Sequence, residues 1–410
     1  MDIKNDINNA IINNIKYQKQ NRKNKYTKSI YFKIIEEFIS NKKLVCYGGT
    51  AINMYLPKEH QFYNEDDIPD YDCFSNNALK DSIELSKKLK KNNIGNIEVK
   101  SAMFKGTYKI FINFIPIVDI TQIKNDIFLN IYNKAVKINN ILYCSPSYLK
   151  ISLYQELSRP LGDLSRWDKI YKRLELLNKY HPLYISNCLI SDNDTPETDD
   201  YKNINNTIIN LIEKNSWVVL GDYGLSYYIK YFPKKYQKMD RTIHIPYILT
   251  ENIESVLDKL TFKYSIEKYS YEIVNDFYQI IYNNYPVLYI FITDSCVSYN
   301  KINGVNVATI DTILSIYYAL SFLNIKFFNI HKILSYCYLL HNVKTNKGPC
   351  KRFNLPCVGY QKTIEDIRHD RNIKYKLYKK TKSTKIYNEY FFQYIPKNKT
   401  IKFKTIKKNK

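Results

Sequence analysis

A glycine turn followed by paired carboxylates is the feature that most constrains how this chain folds. The run 43–46 ends in the turn Tyr47-Gly48-Gly49-Thr50, and Asp70-Tyr71-Asp72 follows 21 residues after Gly49. Glycines let backbone N–H groups approach phosphates closely, and a helix predicted from about Ala51 directs its positive end toward them. Alternate residues of a strand share a face, so both carboxylates can reach the same metal ions.

A third carboxylate, Asp119, lies near the end of the run 108–120, which is rich in aromatic and β-branched residues. That composition predicts two strand segments interrupted at Pro116. Three acids on adjacent strands suit a two-metal site, in which one ion activates a hydroxyl and the other binds a triphosphate. The set therefore predicts metal-assisted phosphoryl transfer.

The order of these motifs resembles the polymerase β-like nucleotidyltransferase superfamily, whose signature is a Gly-Gly or Gly-Ser turn, then Asp-x-Asp, then a later Asp on a neighbouring strand. The sequences YGGTAIN at 47–53 and DYDCFS at 70–75 are similar to viral poly(A) polymerase catalytic subunits of poxviruses, asfarviruses and giant amoeba viruses. The resemblance is specific over about residues 40–175 and weakens beyond them. Thr50 keeps the hydroxyl of the Ser that is common in the wider superfamily.

The resemblance implies an α+β fold, with a polymerase β-like nucleotidyltransferase mixed sheet and flanking helices. It implies template-independent addition of AMP from ATP to mRNA 3′ ends, with release of pyrophosphate. Two Mg²⁺ (or Mn²⁺) ions are the implied cofactors, and ATP and the RNA 3′ end are the implied substrates. Processivity would come from a homodimer or from a viral processivity subunit. The implied location is the infected-cell cytoplasm, in the viral factory, and the virion.

The resemblance also assigns roles to single residues. Asp70 and Asp72 would ligate both ions, and Asp119 would ligate the ion nearer the primer and help to accept the 3′-hydroxyl proton. The residues implied to bind the triphosphate are Gly48, Gly49 and Thr50. In the resembled family the segment after the sheet helps to hold the nucleotide, and the candidates there are Arg159, Arg166 and Lys169. An ordinary solvated basic face explains these three equally well.

Charge points to a polyanionic partner. The 410-residue chain carries a formal net charge of +23, and its last 37 residues contain thirteen Lys and one acid, Glu389. Lysines interleaved with aromatic residues suit phosphate neutralisation and stacking of single-stranded bases. Because Lys, Asn, Ile and Tyr have A/T-rich codons, the same density also fits an AT-rich genome.

Eight cysteines are scattered without a Cys-x-x-Cys pair, which favours free thiols in a reducing compartment. A zinc site at His331, His341, Cys350 and Cys357 has poor spacing. No signal peptide or apolar run of about 20 residues is present, so we expect an intracellular protein that does not cross a membrane.

The chain divides into five predicted segments: an N-terminal helical segment (1–40), a catalytic domain (41–190), an acidic linker (191–200), a second domain (201–325), and a helical piece with a basic tail (326–410). Within the catalytic domain, a hairpin-like stretch spans 127–143. The second domain resembles a repeat of the first: Gly221 aligns with Gly48 at an offset of 173 residues. We therefore expect a degenerate nucleotidyltransferase-like α/β domain that forms a wall of the RNA cleft. An unrelated α/β domain is the alternative.

The second domain lacks the carboxylates that would carry the metal chemistry. Where the acid pair is expected, the chain has residues 240–245 without a carboxylate pair on one strand face, and Asp294 is the candidate match for Asp119. Other hypotheses for the whole chain are a uridylyl- or CCA-adding enzyme, another nucleotidyltransferase acting on proteins or small molecules, and a non-catalytic RNA-binding subunit. A deoxynucleotide polymerase is disfavoured by the lack of a helix-hairpin-helix glycine pattern.

Overall fold

The computed structural model describes residues 3–22, 25–63, 69–184, 198–237, 245–271, 273–323, 325–343 and 352–397. Its strands are β1 (Val45–Tyr47), β2 (Tyr71–Ser75), β3 (Ile97–Ser101), β4 (Thr107–Ile112), β5 (Ile115–Gln122), β6 (Val136–Ile138), β7 (Ile141–Tyr143), β8 (Val218–Leu220), β9 (Tyr247–Thr250), β10 (Ser265–Tyr269), β11 (Phe277–Tyr282), β12 (Tyr285–Ile292), β13 (Val297–Ile302), β14 (Val305–Ala308), β15 (Cys357–Val358) and β16 (Gln393–Tyr394).

Helices surround these strands and complete the α+β fold, as predicted. They are α1 (Ile3–Arg22), α2 (Lys25–Lys42), α3 (Gly48–Met54), α4 (Ala78–Lys91), α5 (Asn125–Asn133), α6 (Pro146–Leu157), α7 (Trp167–Tyr180), α8 (Asp199–Asn215), α9 (Gly221–Ser226), α10 (Glu254–Leu257), α11 (Ile310–Leu320), α12 (Ile330–His341), α13 (Ile364–Thr381) and α14 (Thr384–Ile386).

Two mixed sheets share one strand order. The first runs β16-β3-β4-β5-β2-β1-β7-β6, and the second runs β10-β11-β12-β9-β8-β14-β13-β15. If β3 is laid on β10, the next six strands correspond in order, and the directions agree: β1 and β8 run antiparallel to β2 and β9, which run parallel to β5 and β12. The second sheet therefore repeats the arrangement of the first.

The helices that follow the two sheets begin with matching caps. The Ser145 hydroxyl accepts the Tyr148 N–H at the start of α6, and the Thr309 hydroxyl accepts the Thr312 N–H at the start of α11. Such caps satisfy N–H groups that have no partner within the helix. The two helices pack together, with the rings of Tyr154 and Tyr318 stacked 5.9 Å apart.

Two local predictions need correction. The stretch 127–143 is a hairpin only in its second half, because α5 comes first, with Ile127, Phe128 and Ile131 buried at helical spacing. Helix α8 begins at Asp199, inside the predicted acidic linker, while residues 191–197 lie outside the described residues. The domain boundaries otherwise stay predictions.

The cysteine prediction is wrong for one pair. Cys296 and Cys357 form a disulfide, with Cα atoms 5.3 Å apart, because β15 pairs with β13 beside them. The other described cysteines are free and buried, and they are Cys46, Cys73, Cys144 and Cys337. Cys188 and Cys350 lie outside the described residues, so the zinc hypothesis loses Cys357 to the disulfide and is untested at Cys350.

The basic tail does not stand apart from the catalytic domain. Its short strand β16 pairs antiparallel with β3, Gln393 opposite Lys100, and so extends the first sheet. Within the described part of the chain, no helix combines the length and the apolar composition needed to span a bilayer.

Candidate active site

Strand register brings the three predicted acids together on neighbouring strands. β2 and β5 are parallel neighbours with Asp72 opposite Asp119, and Asp70 immediately precedes β2. On the other side of β2, Asp72 lies opposite Tyr47, the last residue before the glycine turn. Residues directly opposite each other in a sheet share a face. The carboxylates and the turn therefore meet on one face of the first sheet.

Burial and mutual repulsion disfavour the charged forms of these carboxylates. The pKa of Asp72 is raised to about 7, first by burial and then by the charges of Asp70 and Asp119. Burial also raises the pKa of Asp70 and of Asp119. Lys109 and Arg173 pull the pKa of Asp72 back down. The cluster is short of positive charge.

Lys109 partly supplies that charge. It lies opposite Asp119 in the β4–β5 pairing, and its ammonium contacts Asp119 Oδ2. Asp119 Oδ1 is buried without a hydrogen-bond partner. The sequence prediction missed Lys109, although its place on the strand before Asp119 could have suggested it.

The donor set fits a divalent cation. Carboxylate oxygens are the ligands that Mg²⁺ prefers, and an orphaned buried oxygen on Asp119 together with mutual repulsion at Asp72 favours an added positive charge. Among the described residues no three His, Cys, Asp or Glu side chains already form a preorganised metal group. Lys109 contacts Asp119 Oδ2, which leaves Asp119 Oδ1 as the oxygen without a partner.

Gly48 and Gly49 are required because side chains of the site lie too close to their backbone to leave room for a Cβ. Gly48 has a φ of +73°, and a Cβ there would collide with Asp72 Oδ2. A Cβ on Gly49 would lie 2.6 Å from the Tyr63 hydroxyl and 3.1 Å from Arg173 Nη1. Any side chain at either position would displace a group of the site.

Thr50 has a different partner from the predicted one. Its buried hydroxyl donates a hydrogen bond to the Asp70 carbonyl oxygen at 2.7 Å. This bond ties the start of α3 to the segment that carries the acid pair. The predicted contact between the Thr50 hydroxyl and a triphosphate stays a prediction. The hydroxyl proton of Thr50 is already used in the bond to the Asp70 carbonyl.

Arg173 is the cation beside the glycine turn, and the sequence-based list of site residues omitted it. Its guanidinium lies 4.3 Å from the centroid of the Phe62 ring and donates a hydrogen bond to the Tyr63 hydroxyl at 3.1 Å. Asn53 Oδ1 holds this aromatic pair by accepting the N–H groups of Phe62 and Tyr63. Helical spacing from Lys169 could have identified Arg173, since residues four apart share a helix face.

The three predicted basic residues are divided. Lys169 lies near Arg173, whose charge is the main cause that lowers the pKa of Lys169. Arg166 is exposed and forms an ion pair with Glu156 at 3.2 Å. Arg159, with a buried Nε that lacks a hydrogen-bond partner, lines a cavity of about 60 Å³ with Gln155, in which none of the three acids takes part. Arg173 is the first cause of the lowered pKa of Lys169, and Arg159 and Arg166 share the neighbourhood of Glu156 with Arg173.

In the second sheet, tyrosines occupy the positions that correspond to Asp72 and Asp119 of the first sheet. Tyr247 lies opposite the last residue of β8, as Asp72 lies opposite the last residue of β1. Tyr289 lies opposite Tyr247, in the place of Asp119. Gln279 lies opposite Tyr289, as Lys109 lies opposite Asp119, and donates a hydrogen bond to its hydroxyl at 3.1 Å.

The predicted correspondences were therefore wrong at one position and untested at another. Asp294 is exposed and lies beyond the end of β12, so it does not match Asp119. Residues 240–244 lie outside the described residues. The turn geometry is nevertheless repeated, because Gly221 has a φ of +69° and a Cβ there would lie 2.7 Å from Tyr247 Cγ.

Comparison with known proteins agrees with this geometry. Residues 33–163 match the family model described as poly(A) polymerase catalytic subunit. A putative poly(A) polymerase catalytic subunit of Acanthamoeba polyphaga mimivirus is 29% identical over 163 residues, 38% of this chain and 27% of the relative. One from African swine fever virus, isolate Pig/Kenya/KEN-50/1950, is 29% identical over 157 residues, 37% of this chain and 33% of the relative. These matches span about a third of the curated relatives' length and confirm the predicted resemblance.

The fold likeness extends further. The crystal structure of the Megavirus polyadenylate synthase superposes with a TM-score of 0.78 at 19% identity and covers 96% of this chain and 85% of that chain. At this identity the likeness shows the fold alone. Because the likeness covers 96% of this chain, it takes in both sheets.

Proposed function

We propose that this chain is a polynucleotide adenylyltransferase that adds AMP from ATP to RNA 3′ ends, the catalytic subunit of a viral poly(A) polymerase. The observation that carries the proposal is the register that sets Asp72 beside Asp119 and next to the Gly48 turn. This constellation lies inside the segment that matches the family model.

Asp70, Asp72 and Asp119 are the residues that would hold two divalent cations. When bound, the cations would lower the pKa of the attacking 3′-hydroxyl and offset charge on the triphosphate. The 3′-oxygen forms a bond to the α-phosphorus of ATP while the bond to the leaving pyrophosphate breaks. Asp119, which lies opposite Asp72 on the neighbouring strand, is also the acceptor we assign to the hydroxyl proton.

The rest of the site binds and orients the nucleotide. Gly48 and Gly49 leave room for phosphate oxygens beside the backbone, and Arg173 supplies the planar donor fork that suits phosphate. Tyr63 and Phe62 keep this guanidinium in place. Arg159, Arg166 and Lys169 stay as candidates, with Lys169 favoured by its nearness to Arg173.

The second sheet has a supporting role in this proposal. Tyrosines 247 and 289 take the positions of the acids, and their rings lie 4.8 Å apart against Phe328. We infer a degenerate nucleotidyltransferase-like domain that walls the RNA cleft. A homodimer or a viral processivity subunit, and a location in the infected-cell cytoplasm or the virion, are proposals that rest on the viral relatives.

Incubation of the purified chain with Mg²⁺, an RNA primer and each NTP separately tests the function. We expect a ladder of products with ATP and little extension with UTP, CTP or GTP. Extension with UTP would favour a uridylyltransferase, and addition limited to C, C and A would favour a CCA-adding enzyme. Absence of metal-dependent transfer with any NTP would leave a non-catalytic RNA-binding subunit.

Removing one acid should stabilise the metal-free protein. The pKa of Asp72 is raised to about 7 in the folded protein, so stability is lost as the pH rises from the unfolded pKa of about 4 to about 7, and the loss is complete above that. We expect Asp72→Asn to raise the free energy of unfolding at pH 8 by about 1–2 kcal/mol, since one unit of pKa shift corresponds to about 1.4 kcal/mol and solvent reduces the effect. Thermal unfolding in EDTA measures the change.

Mg²⁺ provides the second arm of that experiment. We expect 10 mM Mg²⁺, as an order of magnitude, to raise the Tm of the wild type and not that of Asp72→Asn, because bound cations stabilise the folded state by mass action. Equal shifts in both proteins would contradict the assignment of Asp72 as a metal ligand.

Arg173→Ala should raise the KM for ATP by about 10- to 100-fold, as expected for loss of a charge-assisted contact to phosphate. Arg173→Lys should recover only part of the loss, because lysine lacks the planar fork that stacks on Phe62. Lys172→Ala is the matched control, since this exposed neighbour pairs with Asp168 on the same helix. Steady-state kinetics with varied ATP measures the KM of each variant. An unchanged KM in Arg173→Ala would exclude a role for Arg173 in binding the triphosphate.

A further inference from the structure

One exposed surface concentrates positive charge on a helix that is attached to the first sheet, the sheet of the proposed active site. Residues 371–385, the C-terminal half of α13 and the turn after it, contain seven basic residues and no acid. We call these residues the basic helix surface: Arg371, Lys374, Lys376, Lys379, Lys380, Lys382 and Lys385. No residue of α13 is buried. Within the described chain the nearest acid on this helix, Asp370, is paired with Lys362.

This surface is fixed to the catalytic sheet. Arg371 Nη1 donates hydrogen bonds to the carbonyl oxygens of Ala102 at 2.8 Å and Met103 at 3.3 Å, in the β3–β4 connection. The Tyr108 hydroxyl donates to the Asn388 carbonyl oxygen at 3.1 Å. With the β16–β3 pairing, these contacts hold α13 at the outer edge of the first sheet.

A row of directly opposed residues connects that edge to the acids. Gln393 lies opposite Lys100, Lys100 opposite Lys109, and Lys109 opposite Asp119. Opposed residues share a face, so Lys100 and Lys109 lie between β16 and the carboxylates, where Lys100 is paired with Glu98 at 2.7 Å and Lys109 with Asp119. Three strand spacings of about 4.8 Å separate β16 from β5, about 14 Å in all. A few nucleotides of single-stranded RNA span this distance.

The described aromatic residues of the tail pack on one another. Phe391 packs against the rings of Tyr375 at 5.6 Å and Tyr378 at 6.1 Å. Phe104 is more exposed than Tyr375, and we assign the stacking on RNA to it. That ring is 68% exposed, in the connection that Arg371 clamps, and makes no ring contact with another described aromatic residue.

We propose that the basic helix surface and Phe104 bind the single-stranded RNA upstream of the 3′ end. The proposal rests on the proposed function, which supplies the RNA substrate, and adds where that substrate lies. The lysines of the surface neutralise phosphates and Phe104 stacks one base. Because Tyr108 alternates with Lys109 along β4, its contact with Asn388 places that part of the tail on the face away from the acids, and the RNA reaches the site past the β3–β4 connection that carries Phe104.

Binding of fluorescent single-stranded oligo(A) to the full chain, without metal or ATP, tests the surface. Anisotropy titrations at several salt concentrations would compare the wild type with the triple variant Lys376→Gln, Lys379→Gln, Lys380→Gln. We expect about tenfold weaker binding and a salt slope smaller in magnitude by about 2, since each phosphate contact on a single strand contributes about 0.7. The control removes equal charge from α4, which bonds Ser75 on the face of the first sheet away from Asp72: Lys80→Gln, Lys88→Gln, Lys91→Gln.

Phe104 is tested separately. We expect Phe104→Ala to weaken binding by about fivefold or more, the effect of losing one stacked base, and Phe104→Trp to restore it. Phe114→Ala is the matched control, because Phe114 is 82% exposed at the tip of another hairpin of this sheet.

The outcomes separate this proposal from the function on which it rests. Unchanged affinity and salt slope in the triple lysine variant would overturn it and leave an acidic protein as the occupant of the surface. Weakened RNA binding in a chain that transfers no AMP would support the surface and contradict the enzyme. As a second readout, the triple variant should lose more AMP transfer on long primers than on primers too short to reach α13.

Discussion

Asp72→Asn and Asp119→Asn should each lower the rate of AMP transfer by at least about 10³-fold. Each substitution removes a carboxylate from the pair that register places side by side, and loss of a preorganised electrostatic group in an active site commonly costs about 10²- to 10³-fold even when its neighbours remain. A metal ligand should exceed that range. Single-turnover assays with saturating ATP and a labelled RNA primer measure the loss.

The control for this pair is Asp168→Asn. Asp168 is an aspartate on α7, after the sheet, and its side chain is 78% exposed and pairs with Lys172 one turn later. We expect its activity to stay within about twofold of the wild type, as for other exposed ion pairs. Substantial AMP incorporation by Asp72→Asn, at a rate near that of the control, would exclude the assigned role of the acids.

Gly48→Ala should also nearly abolish activity, with a loss of about 10²-fold or more. The new Cβ would collide with Asp72 Oδ2, so the carboxylate must leave the position that register gives it. The positive φ adds strain of about 1–2 kcal/mol for any residue with a Cβ. The rate of AMP transfer and the Tm are both measured.

Gly304→Ala separates strain from collision. Gly304 has a φ of +89°, and a Cβ there would have no heavy atom within 4 Å. We expect a similar small decrease in Tm for both variants but a loss of activity only for Gly48→Ala. Equal activities would indicate that the glycine serves the turn and not the carboxylate.

The motif at residues 47–72 and the run 108–120 were sufficient to predict the first sheet's central strands and the meeting of its acids, because turn chemistry and alternation are local properties. Lys109 and Arg173 were missed. Their importance depends on which residues stand opposite or adjacent in space, and a single sequence gives that register only after the strands have been paired. The same limit explains the wrong match of Asp294.

The disulfide and the position of the tail could not be predicted either, because both depend on contacts between segments far apart in the sequence. Cys296 and Cys357 are 61 residues apart, and no spacing rule selects that pair from eight cysteines. The strand β16 has two residues, too few for a periodic pattern, and its partner is almost 300 positions earlier. Contacts between distant segments decide both features.

The pairing of β16 with β3 has a consequence for the order of folding. During synthesis the N-terminal segments emerge first, and domains generally begin to fold as they emerge. β3 must then keep one unpaired edge until residues 393–394 have been made. Unpaired edges attract other strands and promote aggregation. The sheet that begins first is therefore completed only after strands β8 to β15 of the second sheet have been made.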